Sequence, residues 1–232
     1  MIFGGTDLGE YLTVTAVTRP LAPKARLVET VVPGMDGSHV RDSGLEPVEI
    51  SVDCNILAGT VADVADARDA IAAALSGGEK KLVLDDAPGR YVMARYKGGS
   101  KQSRNAHMPG LTLEFYCADP VAYGLRRTQQ VTATQRPVSA GGNYRARPTV
   151  TCRPPSGSSW TLTNVTTGQY VRVEAPFSGS QTVVLDMRSE RCTVNGADWP
   201  VTVESDFFAL AGTQNIKTSG GTATLEWEER WL

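Results

Sequence analysis

Apolar residues recur at every second position through most of this chain, in short runs bounded by Gly, Pro, Asn or Asp. That spacing puts one face of a strand inside and the other in water. The clearest run is Pro47 to Ile56 (PVEISVDCNI), in which Val48, Ile50, Val52 and Cys54 share a face. Thr13 to Arg19 (TVTAVTR) also alternates and stops at Pro20, which suits a strand near a sheet edge. Leu27 to Val32 predicts another short strand, closed by a tight turn at Pro33-Gly34-Met35-Asp36-Gly37 and followed by a polar loop. Lys81 to Asp85 (KLVLD) and Tyr91 to Tyr96 (YVMARY) flank a turn around Asp86-Ala87-Pro88-Gly89 and read as a hairpin. Leu111 to Cys117 (LTLEFYC) alternates again before Ala118-Asp119-Pro120 breaks it.

One stretch abandons the two-residue period. From Thr60 to Gly78 (TVADVADARDAIAAALSGG) the apolar positions fall at helical spacing, with Val61, Val64, Ile71 and Leu75 on one side, Ala65 and Ala72 beside them, and Asp63, Asp66 and Asp69 opposite. Thr60 with Asp63 three residues on forms a capping-box start, and Gly77-Gly78 a stop. The expected helix is about 23 Å long and made to lie on a sheet.

Arg126 to Pro148 is polar and has no clear apolar period, so the domain boundary is placed there: residues 1–128 as a first domain, 129–148 as a linker, 149–232 as a second domain. Beyond it come short runs at Thr149–Arg153, Ser159–Thr163, Tyr170–Glu174, Gln181–Met187, Arg191–Asn195, Val201–Val203, Phe207–Leu210, Asn215–Thr218 and Thr222–Trp227, with turn signals such as Asn195-Gly196. This reads as an antiparallel β-sandwich. The fold class is therefore mainly β, with one helix and a long hairpin in the first domain.

Composition excludes more than it selects. The 232 residues carry 41% hydrophobic and 21% charged positions and a net charge of −2, an ordinary globular balance. Basic and acidic residues number 14 and 16 up to residue 128 and 9 and 9 after it, so neither half has the basic excess of a dedicated nucleic-acid binder. The start MIFGGTDLGEY lacks a secretory pattern, and no apolar run approaches the roughly 20 residues of a membrane span. Cys54, Cys117, Cys152 and Cys192 are scattered in strand contexts and are expected to be reduced and buried. No metal or other cofactor is expected, since His39 and His107 stand at ligand spacing from no cysteine.

No catalytic constellation assembles, and an enzyme is not expected. Nucleotide-binding loops and a nucleophile elbow are missing. Glu226 and Glu228 would share a strand face, as a glycosidase pair might require, but a solvent-facing acidic row opposite Leu225 and Trp227 accounts for the same pattern. Two surfaces remain. Between Ala87 and Leu113 there are five basic residues and no acidic one, which makes Arg95, Lys97, Lys101 and Arg104 candidates for contact with a partner, against the alternative of a solvated hairpin tip. Trp160, Trp199, Trp227 and Trp231 all lie in the second half; Trp199 and Trp231 are the more exposed candidates for stacking on a sugar, while core packing explains the others. Asn164-Val165-Thr166 fits a glycosylation pattern by chance.

The order of these pieces is itself a signal. Arg19-Pro20, then Val31-Val32-Pro33-Gly34-Met35-Asp36-Gly37, an alternating strand, one helix, a hairpin and LTLEFYCADPVAYG (Leu111 to Gly124) resembles the N-terminal domain of siphophage distal tail proteins, the Dit family. FSGSQTVVLDMRSERCTVNG (Phe177 to Gly196), DFFAL, Asn215-Ile216 and a last strand ending in Trp resemble their galectin-like C-terminal domain. The resemblance implies a structural protein of the virion tail tip. Such proteins form a homohexameric ring through the N-terminal domain and join the tail tube protein and tape measure protein to the baseplate hub or a tail-associated fibre protein. The ring leaves a channel through which DNA passes without sequence-specific binding, and no membrane is involved. The alternative is a carbohydrate-binding module for attachment to the host cell wall.

Overall fold

The computed structural model describes residues 1–57, 60–100 and 110–232. They form two compact units, residues 1–122 with Leu232 and residues 123–231. The first unit contains strands β1 (Ile2–Phe3), β2 (Thr6–Asp7), β3 (Leu12–Thr18), β4 (Ala25–Thr30), β5 (His39–Leu45) and β6 (Val48–Ile56), helix α1 (Val61–Leu75), and strands β7 (Lys80–Val83), β8 (Val92–Ser100) and β9 (Gly110–Cys117). Seven of them make one sheet in the order β2-β1-β7-β8-β9-β6-β3. As its pattern predicts, β6 buries Ile50, Val52, Cys54 and Ile56, and β3, the strand that ends before Pro20, is an edge.

The sheet changes partner along β8. Residues 92–94 pair with β7 and residues 95–100 with β9, through a register shift between Tyr96 and Gly98. Gly99 is required there, because a Cβ would stand 2.5 Å from the Thr112 carbonyl oxygen. Phe3 of β1 packs on Phe115 of β9, three strands along, at 5.2 Å between ring centroids, and Tyr96 meets the same ring at 6.0 Å. The result is sandwich-like packing from a single continuous sheet.

Helix α1 starts as expected. The Thr60 hydroxyl accepts from the Asp63 N–H at 3.2 Å and the Asp63 carboxylate accepts from the Thr60 N–H at 2.9 Å, a complete capping box. Its inward stripe is Ala67, Ile71 and Leu75, with Val64 and Ala74 half-buried. Ala65 and Ala72, expected beside that stripe, are exposed. Ala72 stands one residue, about 100°, around the helix from Ile71, and Ala65 two residues from Ala67. The side chain of Val61 is outside the described ones.

The second unit holds β10 (Ala122–Val131), β11 (Arg136–Ser139), β12 (Thr149–Cys152), β13 (Gly157–Asn164), β14 (Tyr170–Phe177), β15 (Val183–Asp186), β16 (Arg191–Val194), β17 (Ala197–Asp198), β18 (Thr213–Thr218) and β19 (Ala223–Trp231). A six-stranded sheet, β10-β19-β12-β15-β16-β17, faces a four-stranded one, β11-β18-β13-β14. Trp160, Leu162, Val173, Leu185, Leu225 and Trp227 lie in the core between them. Two readings are corrected here. Residues 129–148, expected as a linker, contain the end of β10 and all of β11 and bury Val131, Val138, Ala140 and Ala146 in this core; the division falls after Ala122. Their apolar positions are few and interrupted by the Gly141-Gly142 turn, so the period is too weak to see. Residues 201–203 and 207–210 form only single bridges, Val201 to Val173 and Leu210 to Ala146, and are otherwise loop.

Candidate functional site

The β4–β5 hairpin of the first unit is a separate two-stranded sheet with no buried residue on either strand. The sequence marks its turn, where Gly34 and Gly37 both adopt φ +83°. The sequence hides its second strand, because HVRDSGL is mostly polar and lacks a buried face to impose alternation. The hairpin nevertheless presents Leu27 (49% exposed), Val28, Val31 (71%), Val32, Met35 and Val40 (54%) to solvent. Two strands without a core are marginal in water, so exposed apolar side chains on such an element make it a candidate interaction surface.

The basic candidates fall elsewhere. Arg95 and Lys97 lie on β8 within the large sheet, with Arg95 opposite Tyr116 on its solvent face. Lys97 Nζ contacts Glu49 Oε1 of β6 at 2.5 Å, and this hydrogen bond with the Glu49 charge holds the ammonium pKa above its ordinary value. The same face carries a Thr112 hydroxyl donating to Asp53 Oδ1 at 2.5 Å. Lys101 and Arg104 lie outside the described residues, as does His107. Between α1 and the sheet a cavity of about 320 Å³ is lined by residues that include Ile56, Arg68, Ile71, Leu75, Tyr96 and Leu113.

In the second unit the two tryptophan candidates separate. Trp199 is 37% exposed and borders a cleft of about 410 Å³. Trp231 is half-buried at the end of β19, where its indole nitrogen faces the backbone of Gly124 so closely that a Cβ there would stand 2.9 Å away. Trp160 and Trp227 are core residues whose indole N–H groups donate to the carbonyls of Gly220 and Ala140. Glu226 and Glu228 face outward as the alternation predicts, and Glu226 accepts from Arg126 at 2.6 Å. Glu229 takes the inward parity with Leu225 and Trp227 and is buried, its charge met by Arg127 at 2.7 Å. Asn164 is fully buried, donating to Gln214 and accepting from the Thr166 and Thr167 N–H groups, so it is closed to glycosylation.

The remaining chemistry is quiet. All four cysteines are free and buried, and burial pushes their thiols up, to about 11 for Cys54 and Cys192 and about 12 for Cys117 and Cys152. They are protonated and unreactive near neutrality. Among the described residues no group of three or more His, Cys, Asp or Glu is placed to hold a metal ion, and no helix is long and apolar enough to cross a membrane.

Comparison with known proteins matches both units. The family described as phage tail protein RIFT-related domain matches residues 6–117, and the family described as siphovirus-type tail component, C-terminal domain, matches residues 141–231. The distal tail protein of Bacillus phage SPP1 is 25% identical over 218 residues, covering 90% of this chain and 86% of the relative. The crystal structure of SPP1 Dit, described as a paradigm of the hub adsorption apparatus in phages infecting Gram-positive hosts, superposes with a TM-score of 0.84 at 21% identity, over 100% of this chain and 98% of that one. That likeness shows the same fold along the whole length.

Proposed function

The chain belongs to the siphophage distal tail protein family, and we propose that six copies close into a ring joining the tail tube to the baseplate hub or tail fibre. It is a hub component of the virion tail tip, and its role is structural. The ring's channel passes DNA without reading its sequence, and the tape measure protein ends at the same junction.

The observation that carries this reading is the β4–β5 arm: an exposed, apolar, two-stranded element whose faces have no cover among the described residues of its unit. A cyclic ring needs heterologous contact, one surface of each copy meeting a different surface of the next. An arm projecting from a rigid sheet supplies one half of such a pair. The Arg95 and Lys97 face of β8 is a second candidate contact, polar where the arm is apolar.

The test is the mass of the assembled full-length chain, by native mass spectrometry and negative-stain imaging, alone and with tail tubes as template. Wild type is expected as sixfold rings. Val31→Asp with Val32→Asp is expected to leave monomers that melt as wild type does, since exposed changes move stability by less than about 0.5 kcal/mol. Rings of another symmetry would overturn the stoichiometry, and intact rings from the double variant would remove the arm from the interface.

A further inference from the structure

Trp199 is not held as an exposed aromatic of convenience would be. Its backbone N–H donates to the Cys192 carbonyl at 3.0 Å and its indole N–H to the Glu174 carbonyl at 2.8 Å, so backbone and ring are tied to strands of opposite sheets. The loop that follows is pinned as well: Thr202 N–H donates to the Arg172 carbonyl, Asp206 N–H to that of Tyr170, and Ser205 Oγ accepts from Arg172 N–H. The indole with Pro200, Val201 and Phe207 makes the apolar side of the 410 Å³ cleft, a volume in the range of small-ligand sites.

The rest of the lining is polar and equally ordered. Arg191 and Asp198, across the tight turn at Asn195-Gly196, form a two-pronged pair with Nε–Oδ1 at 2.5 Å and Nη2–Oδ2 at 2.8 Å. Both side chains remain largely exposed, so the guanidinium keeps unused N–H groups and the carboxylate unused lone pairs facing solvent. An apolar plate sharing one cleft with a donor and an acceptor suits a ligand with one flat C–H face and vicinal hydroxyls on its edge. The charges argue against a phosphate-bearing ligand: the lining holds Glu190 and Asp198 against Arg191, and Glu190 is already paired with Arg147 at 3.2 Å.

We propose that this cleft binds a neutral saccharide, stacked on Trp199 and hydrogen-bonded by the Arg191–Asp198 pair. The site rests on the second unit alone and is independent of ring formation. It would give a tail-tip component a direct contact with surface glycan, in addition to its place as a connector.

The experiment is isothermal titration calorimetry of the full-length chain with glucose, galactose, N-acetylglucosamine and N-acetylgalactosamine and their tetramers, with adenosine monophosphate as an aromatic, phosphate-bearing control. Saturable millimolar binding of at least one saccharide is expected, with no heat from the nucleotide. Trp199→Ala is expected to weaken that binding about tenfold, the usual scale for an aromatic stacking contact. Asp198→Asn, which leaves the indole and its anchors untouched, is expected to weaken it severalfold, and Trp199→Phe less than Trp199→Ala. Should Trp199→Ala unfold the unit, Asp198→Asn and Trp199→Phe carry the comparison. Absence of binding by every saccharide, preference for the nucleotide, or affinity unchanged in the variants would each overturn the proposal.

Discussion

Asp186 shows how a single side chain closes a strand connection. At the end of β15 its carboxylate accepts from the Arg188 N–H at 2.8 Å, the Ser189 N–H at 3.3 Å and the Ser189 hydroxyl at 2.7 Å, the local bonding that suits Asp to turns. Partial burial pushes the carboxyl pKa up, but these hydrogen bonds and the Arg188 charge favour the ionised form and leave it below the ordinary value. Because the folded pKa is depressed, the stabilisation is fully present above the unfolded value of about 3.9 and is lost as pH falls through the folded one. Asp186→Ala is expected to cost the second unit about 1 kcal/mol at neutral pH, and less as the pH drops below that window. Urea unfolding followed by tryptophan fluorescence measures this directly, since all four tryptophans belong to this unit. The turn residues and the Asn164-Val165-Thr166 pattern were visible in the chain, but the burial of Asn164 was not: it depends on Gln214 of β18, fifty residues away.

At the level of elements, helix α1 was the most legible, because a capping box, a 3.6-residue stripe and a Gly-Gly stop agree within one local stretch. Its exact inward face was less so, since Ala65 and Ala67 are equivalent in hydropathy and only the position of the sheet chooses between them. Ile71 sits on that face at 4% exposure. Ile71→Asp is expected to destabilise the first unit by about 3 kcal/mol through burial of an unpaired carboxylate. The helical signal in far-UV circular dichroism would then melt early while tryptophan fluorescence of the second unit melts as in wild type; coincident loss of both signals would contradict this. The β4–β5 arm was half legible. Its turn is written in Pro33 to Gly37, whereas β5 lacks a buried face and so leaves no periodic trace.

For the whole molecule, the arrangement of pieces identified the family although no motif of catalytic specificity is present. If the β8 face contributes to assembly, Arg95→Glu with Lys97→Glu should reduce ring yield severalfold while leaving the monomer melting temperature nearly unchanged, read by native mass spectrometry and calorimetry. The reversed Lys97 would stand beside Glu49, which costs little at an exposed site; unfolding of that variant would show the face to be part of the core. The sequence by itself determined the β-rich class, the helix with its cap, the alternating cores of β6 and β19 and the burial of the cysteines, because each follows from local periodicity and chemistry. The tertiary structure alone decided what depends on contacts distant in the chain. It assigned residues 123–148 to the second unit and shifted the register of the first sheet at β8. Among the described residues it left the arm uncovered, and it set Trp199 in one cleft with the Arg191–Asp198 pair while folding Trp231 against Gly124. Period and propensity act over a few residues, whereas burial and partnership are set by whichever strand arrives alongside.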